Sequence, residues 1–250
     1  MRSVMLGALA FGQGLPKICI PLMGKDLHAL RCELAVAKEL PADLFEWRVD
    51  ACLSAETEED TLRILSALRN ETDKPILATF RTHREGGIRF FTDEAYASLL
   101  EAIIKSGDAD LVDIELFSTK SADLILLAKE HQVLTVVSYH DFQQTPAEDE
   151  IYSCLKKMHD LGADLPKIAV MPRCREDVLT LLKATSRADR AFGPVITMSM
   201  GALGTISRIS GEIFGSCLTF GTAEQASAPG QLEADVLFNC LQVLHDSAEE

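Results

Sequence analysis

Positive charge is scarce in this chain: 24 Lys and Arg stand against 38 Asp and Glu, a formal net charge of -14. Such a balance repels nucleic acid and anionic membrane surfaces, and an anionic substrate needs a local arginine cluster working against it. No apolar run approaches the ~20 residues of a membrane-spanning helix. The seven cysteines are odd in number and contain no C-x-x-C pair. Most sit in apolar runs, where reduced cysteine behaves as a small hydrophobe, which points to a reducing cytoplasm. No G-x-G-x-x-G follows the first strand and no GxxxxGK[ST] occurs, so the phosphate cradles of dinucleotide and P-loop folds are missing. There is no HExxH, and His28, His83, His131, His159 and His245 are dispersed, which leaves a metal hydrolase with little support. Nor does a linker or low-complexity tract interrupt the chain.

What is present is a repeating unit. Aromatics are only 6% of the composition and hydrophobic residues 47%, an ordinary globular make-up rich in small aliphatic side chains. The stretch from Val4 to Phe11 has the apolar character of a short signal h-region. A Gly12-Gln13-Gly14 turn follows at once, so it reads as a leading β-hairpin. From Lys17 onward, apolar runs alternate with longer amphipathic segments. The runs cover 17–21, 44–49, 76–80, 111–115, 134–139, 164–172, 195–199 and 217–220. Helical periodicity marks 57–70, 94–105, 122–131, 151–161 and 175–185, with Asp149 and Asp177 in first turns and Gly107 and Gly162 after helix ends. Strands alternating with helices require parallel pairing. Eight such units predict a (β/α)8 barrel, one α/β domain over residues 1–250, with the hairpin of residues 1–16 closing its bottom.

The segment Leu165-Pro166-Lys167-Ile168-Ala169-Val170-Met171-Pro172 reads as a buried strand framed by prolines. Strand alternation puts Lys167, Ala169 and Met171 on one face. A lysine opening a strand ordinarily keeps its ammonium in solvent. In an enclosed pocket, desolvation instead favours the neutral amine, which attacks ketones to form Schiff bases. Barrels do their chemistry at the C-terminal ends of their strands, and those ends carry a dense polar set. They hold Glu46 and Arg48, Arg81 with Glu85 beyond it, Asp113 and Glu115, His140-Asp141, Lys167 and Met200, then Arg208, Ser227 and Gln231. Taken singly, each has a plain explanation: an exposed ion pair for Glu46 and Arg48, a capped loop histidine for His140, a helix-face charge for Arg208. Their concentration at one rim is what argues for a site.

The motifs Phe45-Glu46-Trp47-Arg48-Val49-Asp50, Thr79-Phe80-Arg81-Thr82, Glu85-Gly86-Gly87 and Asp113-Ile114-Glu115-Leu116-Phe117 make the first half of a longer pattern. Ser138-Tyr139-His140-Asp141-Phe142, the Lys167 strand, Ile206-Ser207-Arg208 and Ala226-Ser227-Ala228-Pro229-Gly230-Gln231 complete it. In this order the chain resembles the type I 3-dehydroquinate dehydratases along essentially its whole length. The resemblance implies dehydration of 3-dehydroquinate to 3-dehydroshikimate, in the shikimate pathway to aromatic compounds. Lys167 would form the iminium, His140 would act as general base and then general acid, and Glu85 would orient and charge-balance the histidine. Arg208 would bind the substrate carboxylate, with Ser227 and Gln231 closing over it, while Glu46, Arg48 and Arg81 would hold ring hydroxyls. It further implies a homodimer and no metal or organic cofactor. The chain departs from the pattern at Pro21, where many members carry serine, and at Tyr139, where some carry asparagine.

Residue chemistry supports those roles independently. A protonated imine is an electron sink for a carbanion beside it, and an imidazole both takes and returns protons near neutral pH. A guanidinium fork matches a carboxylate. A class I aldolase or transaldolase also uses a barrel lysine, but needs late phosphate-binding loops, where this chain has Glu224. A catalytically silent barrel serving as a binding domain is the third reading; it has no need of Lys167, His140 and Glu85 together. Apolar positions on the late helices, Val178, Leu181 and Leu182, suggest a dimer surface on the helical exterior.

Overall fold

The computed structural model describes residues 3–223 and 227–248. It opens with the expected hairpin, β1 (Val4–Leu6) antiparallel to β2 (Leu9–Phe11), with Gly7 and Gly12 at positive φ. The repeating unit follows: β3 (Lys17–Leu22), α1 (Leu27–Lys38), β4 (Leu44–Arg48), α2 (Glu58–Arg69), β5 (Ile76–Thr79), α3 (Asp93–Ser106), β6 (Leu111–Glu115), α4 (Ser121–Glu130), β7 (Leu134–Asp141), α5 (Glu148–Asp160), β8 (Leu165–Val170), α6 (Arg175–Phe192) and β9 (Ile196–Ser199). Two short helices, α7 (Thr205–Ile209) and α8 (Gly211–Phe214), lead to β10 (Leu218–Thr222), a two-residue β11 (Leu232–Glu233) and α9 (Ala234–Ala248).

Strands β3 to β9 pair in parallel in chain order, β10 pairs with β3, and a parallel bridge between Val195 and Ser216 joins the two edges. The result is a (β/α)8 barrel with an N-terminal hairpin. Strand alternation makes two cores. Cys19, Leu44, Leu77, Leu111, Val136, Leu165, Ile196 and Leu218 fill the interior together with Phe11 of the hairpin, which is completely buried. Ile20, Phe45, Trp47, Ile114, Ile168 and Val170 face outward against the helices. Helix α2 shows how the shell forms. The Thr57 hydroxyl caps it by accepting from the Asp60 amide at 3.1 Å, acidic residues fill its first turn, and Ile64, Leu65 and Leu68 make its buried face.

Two expectations change. Pro166 does not frame its strand; it lies inside it, paired with Val137, because β8 takes up pairing to β9 only from Lys167 on and needs no amide donor before that. Val178, Leu181 and Leu182 are not an outer patch. At 5%, 0% and 7% exposure they form the inner face of α6, and the exposed apolar side chain there is Leu179. Helices α1 and α9 lie outside the five stretches where periodicity had stood out. Among the described residues no helix is long and apolar enough to cross a membrane.

Candidate active site

The site is built at the strand ends by residues two apart, which the pleat sends to the same side. On β4, Glu46 and Arg48 both point into the mouth, and Glu46 accepts from the Thr79 hydroxyl of β5 at 2.8 Å. Arg48 forks onto Asp50 through Nε at 2.9 Å and Nη2 at 3.0 Å.

Arg81, just past β5, is the hub. Its guanidinium reaches Asp113 at 2.8 Å, Glu115 at 3.2 Å and Glu85 at 3.5 Å, and donates to Ser138 Oγ at 2.9 Å. Burial works against its charge, but the three carboxylates outweigh that and raise its pKa, so it is a permanent cation. Burial also opposes ionisation of Asp113. Arg81 and Lys167 overcome it and hold that carboxyl well below the usual range. Lys167 is 4% exposed. Its Nζ donates to Asp113 Oδ2 at 3.1 Å and sits 4.8 Å above the centre of the Phe220 ring. The lysine that a bland reading leaves in solvent is buried, polar-partnered and aimed into the barrel mouth.

Glu85 stands on a short 3₁₀ turn (His83–Glu85) that ends at Gly86, with φ +86°. Its Oε2 meets His140 Nδ1 at 2.9 Å and accepts from the His140 amide at 3.1 Å, so one carboxylate oxygen fixes both the ring and its backbone. Burial is the main cause that lifts Glu85 to about 8, against the pull of Arg81. Burial, then Arg81 and Lys167, push His140 well below its ordinary value. The imidazole is therefore neutral at physiological pH. With Nδ1–H given to Glu85, its Nε2 lone pair is left for chemistry.

Arg208, on α7, is 1% exposed. Its Nη2 donates to the Pro229 carbonyl at 2.9 Å, its Nη1 lies 4.0 Å from Met198 Sδ, and its Nε has no partner among the described residues. Burial alone lowers its pKa to about 10. Ser227 and Gln231 bond to each other across the last loop, Gln231 Nε2 to Ser227 Oγ at 3.0 Å. A cleft of about 590 Å³ joins Glu46, Arg48, Arg81, Glu85, His140, Lys167, Ser227 and Gln231 on one wall or another. Asp113, Glu115, Asp141 and Arg208 do not line it, and of the residues to which the resemblance gives a role Arg208 alone is absent; its guanidinium lies against Met198, which does line it. Glu224 and Ala226 fall outside the described residues.

Compared side by side, the three arginines differ in balance. Arg81 faces three carboxylates and Arg48 one, while Arg208, among the described residues, faces only neutral acceptors. A buried guanidinium without an anion is costly to hold.

The family model for type I 3-dehydroquinase matches residues 18–248. The chain belongs to the type I 3-dehydroquinase family. The 3-dehydroquinate dehydratase of Bacillus subtilis (strain 168) is 47% identical over 250 residues, covering 98% of each chain. That of Syntrophotalea carbinolica is 48% identical over 98% of this chain and 99% of its own. Among solved structures, the type I 3-dehydroquinate dehydratase of Clostridium difficile superposes with a TM-score of 0.94 at 41% identity over 98% of both chains. Membership in a type I 3-dehydroquinase family sets aside the aldolase and silent-barrel readings.

The cleft also contains residues that the sequence had not marked. Phe142, Ala169, Met198 and Phe220 line it. The signal for Ala169 and Phe220 was parity, since they share a face with Lys167 and Leu218. Ser138 shares the parity of Val136 and His140, but neither it nor Asp50 showed a role, because both meet Arg81, 57 and 31 residues away. No cluster of three potential metal ligands occurs among the described residues.

Proposed function

We propose that the chain dehydrates 3-dehydroquinate to 3-dehydroshikimate in the shikimate pathway, through a covalent iminium on Lys167 and with no metal or organic cofactor. The observation that carries the mechanism is that Lys167, the one lysine lining the cleft, shares it with the bonded pair His140 and Glu85. The Lys167 amine adds to the ring ketone, and loss of water leaves C=N⁺. His140 Nε2 takes a proton from the adjacent carbon, the electrons move onto nitrogen as an enamine, and the same nitrogen returns the proton to the departing hydroxyl. Water then hydrolyses the conjugated iminium and frees the amine. Glu85, made more basic by burial, stabilises the imidazolium formed in between.

Arg208 takes the substrate carboxylate, which supplies the anion its surroundings lack. Ser227 and Gln231 close over it, exchanging their mutual bond for substrate contacts. Glu46, Arg48 and Arg81 hold the ring hydroxyls. We read residues 1–250 as one barrel domain closed below by the hairpin, on the strength of Phe11 packed inside the barrel. Seven free cysteines support a reducing, cytoplasmic setting, and the protein works as a homodimer.

Borohydride reduction with 3-dehydroquinate, followed by mass mapping, tests the chemistry. Lys167→Ala and His140→Ala both lose nearly all turnover, yet only His140→Ala still gains a reduction-stable adduct, on the peptide containing Lys167. Trapping in that variant is slower, since imine formation also moves protons. An adduct on another lysine, or full turnover by Lys167→Ala, refutes the mechanism.

A further inference from the structure

We propose that Asp50 is a positioning residue that sets which edge of Arg48 faces the substrate and, through the same carboxylate, where the turn carrying Glu85 stands. The proposal rests on the dehydratase reading above and adds to it a coupling between substrate orientation and the acid–base pair.

Asp50 lies in the 3₁₀ turn (Val49–Ala51) that ends β4 and is completely buried. A carboxylate has about four acceptor positions, and four donors occupy these. Oδ1 takes Arg48 Nε at 2.9 Å and the Arg81 amide at 3.1 Å. Oδ2 takes Arg48 Nη2 at 3.0 Å and the Ile88 amide at 3.3 Å. Each half of this set has its own consequence.

The fork onto Arg48 consumes Nε–H and one Nη2–H, so three donors remain, two on Nη1 and one on Nη2, along the edge turned away from Asp50. That is the edge left for the cleft, which Arg48 lines. Because Asp50 also balances its charge, Arg48 offers directed hydrogen bonds to hydroxyls and leaves the anion to Arg208. The amides of Arg81 and Ile88, in turn, bracket the Glu85 turn. Between them the Thr82 carbonyl accepts from Glu85 at 3.0 Å and from Gly87 at 2.8 Å, closing the loop tightly. Asp50 thus tethers both ends of a segment whose middle holds His140 at 2.9 Å. Glu115 anchors the same segment from the far side, through the Thr82 amide and hydroxyl. A carboxylate needed only for folding has no reason to divide its bonds between a cleft arginine and the Glu85 turn.

The test is steady-state kinetics across pH on Asp50→Asn, with borohydride trapping to count competent sites. The amide keeps the shape but turns an N–H pair toward donors. KM for 3-dehydroquinate rises roughly tenfold or more, as expected for losing a charge-assisted bond, and the kcat–pH profile moves as Glu85 shifts against Arg81 and His140. Arg48→Lys, which keeps the cation that bears on His140, raises KM but leaves the kcat–pH profile in place, and its combination with Asp50→Asn shows the KM of Arg48→Lys with the moved profile of Asp50→Asn. Parent-like KM and profile in Asp50→Asn, with only stability lowered, overturn the proposal. If that variant does not fold, Arg48→Lys carries the test: it keeps the charge without the fork, and a parent-like KM overturns the proposal equally. Trapping in the parent reports on the reaction itself, so its failure is distinct from a failure at Asp50.

Discussion

At the scale of single residues, the site is a set of charges held where solvation would not leave them. Glu85 is lifted from an ordinary 4.5 to about 8, chiefly by burial. The folded chain then binds that proton more tightly than the unfolded chain. Its contribution to stability is intact below the unfolded value and is lost as pH rises through the folded one. Glutamine at this position carries no proton to lose. The stability of Glu85→Gln relative to the parent should therefore improve steadily from about pH 4.5 to about 8 and level off above. One pKa unit is worth about 1.4 kcal/mol, so the whole swing is of order a few kcal/mol. Urea midpoints across that range measure it, and a flat difference would show that Glu85 ionises without cost. Arg208 gives a second prediction of this kind. Arg208→Ala should raise KM at least tenfold while leaving Lys167 able to form its adduct, since removing a charge-assisted bond costs ~1.5–3 kcal/mol; an unchanged KM would take the carboxylate away from Arg208. Glu85 and Arg208 lie beyond the strands, on a 3₁₀ turn and a short helix where parity marks nothing, and their roles were legible only through the motifs that carry the family resemblance. Asp50 and Ser138 were not, since what makes them matter is a partner brought near only by barrel closure.

At the scale of elements, the eight strands stood out because each is a short apolar run with turn residues on either side, and parallel pairing buries both faces. Helices α1 and α9 were not singled out, and their sequence pattern does not explain it, since α4, whose faces contrast less, was. The Glu85-Gly86-Gly87 turn was legible as a motif while its reason was hidden. A Cβ on Gly87 would stand 1.8 Å from the Arg81 carbonyl oxygen and 2.9 Å from that of Thr82, so only backbone movement admits it. A Cβ on Gly86 would strike the Phe142 ring at 2.5 Å. Gly87→Ala should cost roughly 1–3 kcal/mol, as overpacking does. It should also lower kcat on the order of 10²-fold, because displacing the Glu85 turn by an ångström misplaces His140. Gly107, the left-handed residue after α3, is the control: nothing lies within 4 Å of its Cβ position. Gly107→Ala should lose ~1–2 kcal/mol of stability from backbone strain alone, with kcat unchanged. Equal activity in the two variants, measured with melting temperatures on the same samples, would remove the turn from the catalytic account.

At the scale of the whole molecule, the remaining question is how a chain of net charge -14 would associate with its own copy, as the proposed homodimer requires. The rim carries the proposed site, and the residues first credited with an outer patch, Val178, Leu181 and Leu182, are spent on packing α6 against the barrel. The helical shell still exposes apolar side chains elsewhere. Val236 and Val243, 46% and 65% exposed, are seven residues apart and so share one face of α9, and Ile213 on α8 is 60% exposed. Sequence periodicity could not assign these, because an outward apolar residue breaks the same pattern that reveals an inward one. A homodimer formed on the shell brings two strongly acidic surfaces together, so apolar burial has to outweigh like-charge repulsion. Salt screens that repulsion, with a Debye length of ~30 Å at 0.01 M falling to ~8 Å at 0.15 M. The dimer should therefore tighten as salt is added, the opposite of an interface held by ion pairs. Light scattering over a dilution series at both salt levels should give twice the 27.4 kDa chain mass, with the dissociation midpoint lower in concentration at the higher salt. A 27.4 kDa species alone at working concentration would rule the dimer out, and a dimer that dissociates on adding salt would place ion pairs, not the apolar shell, at its centre.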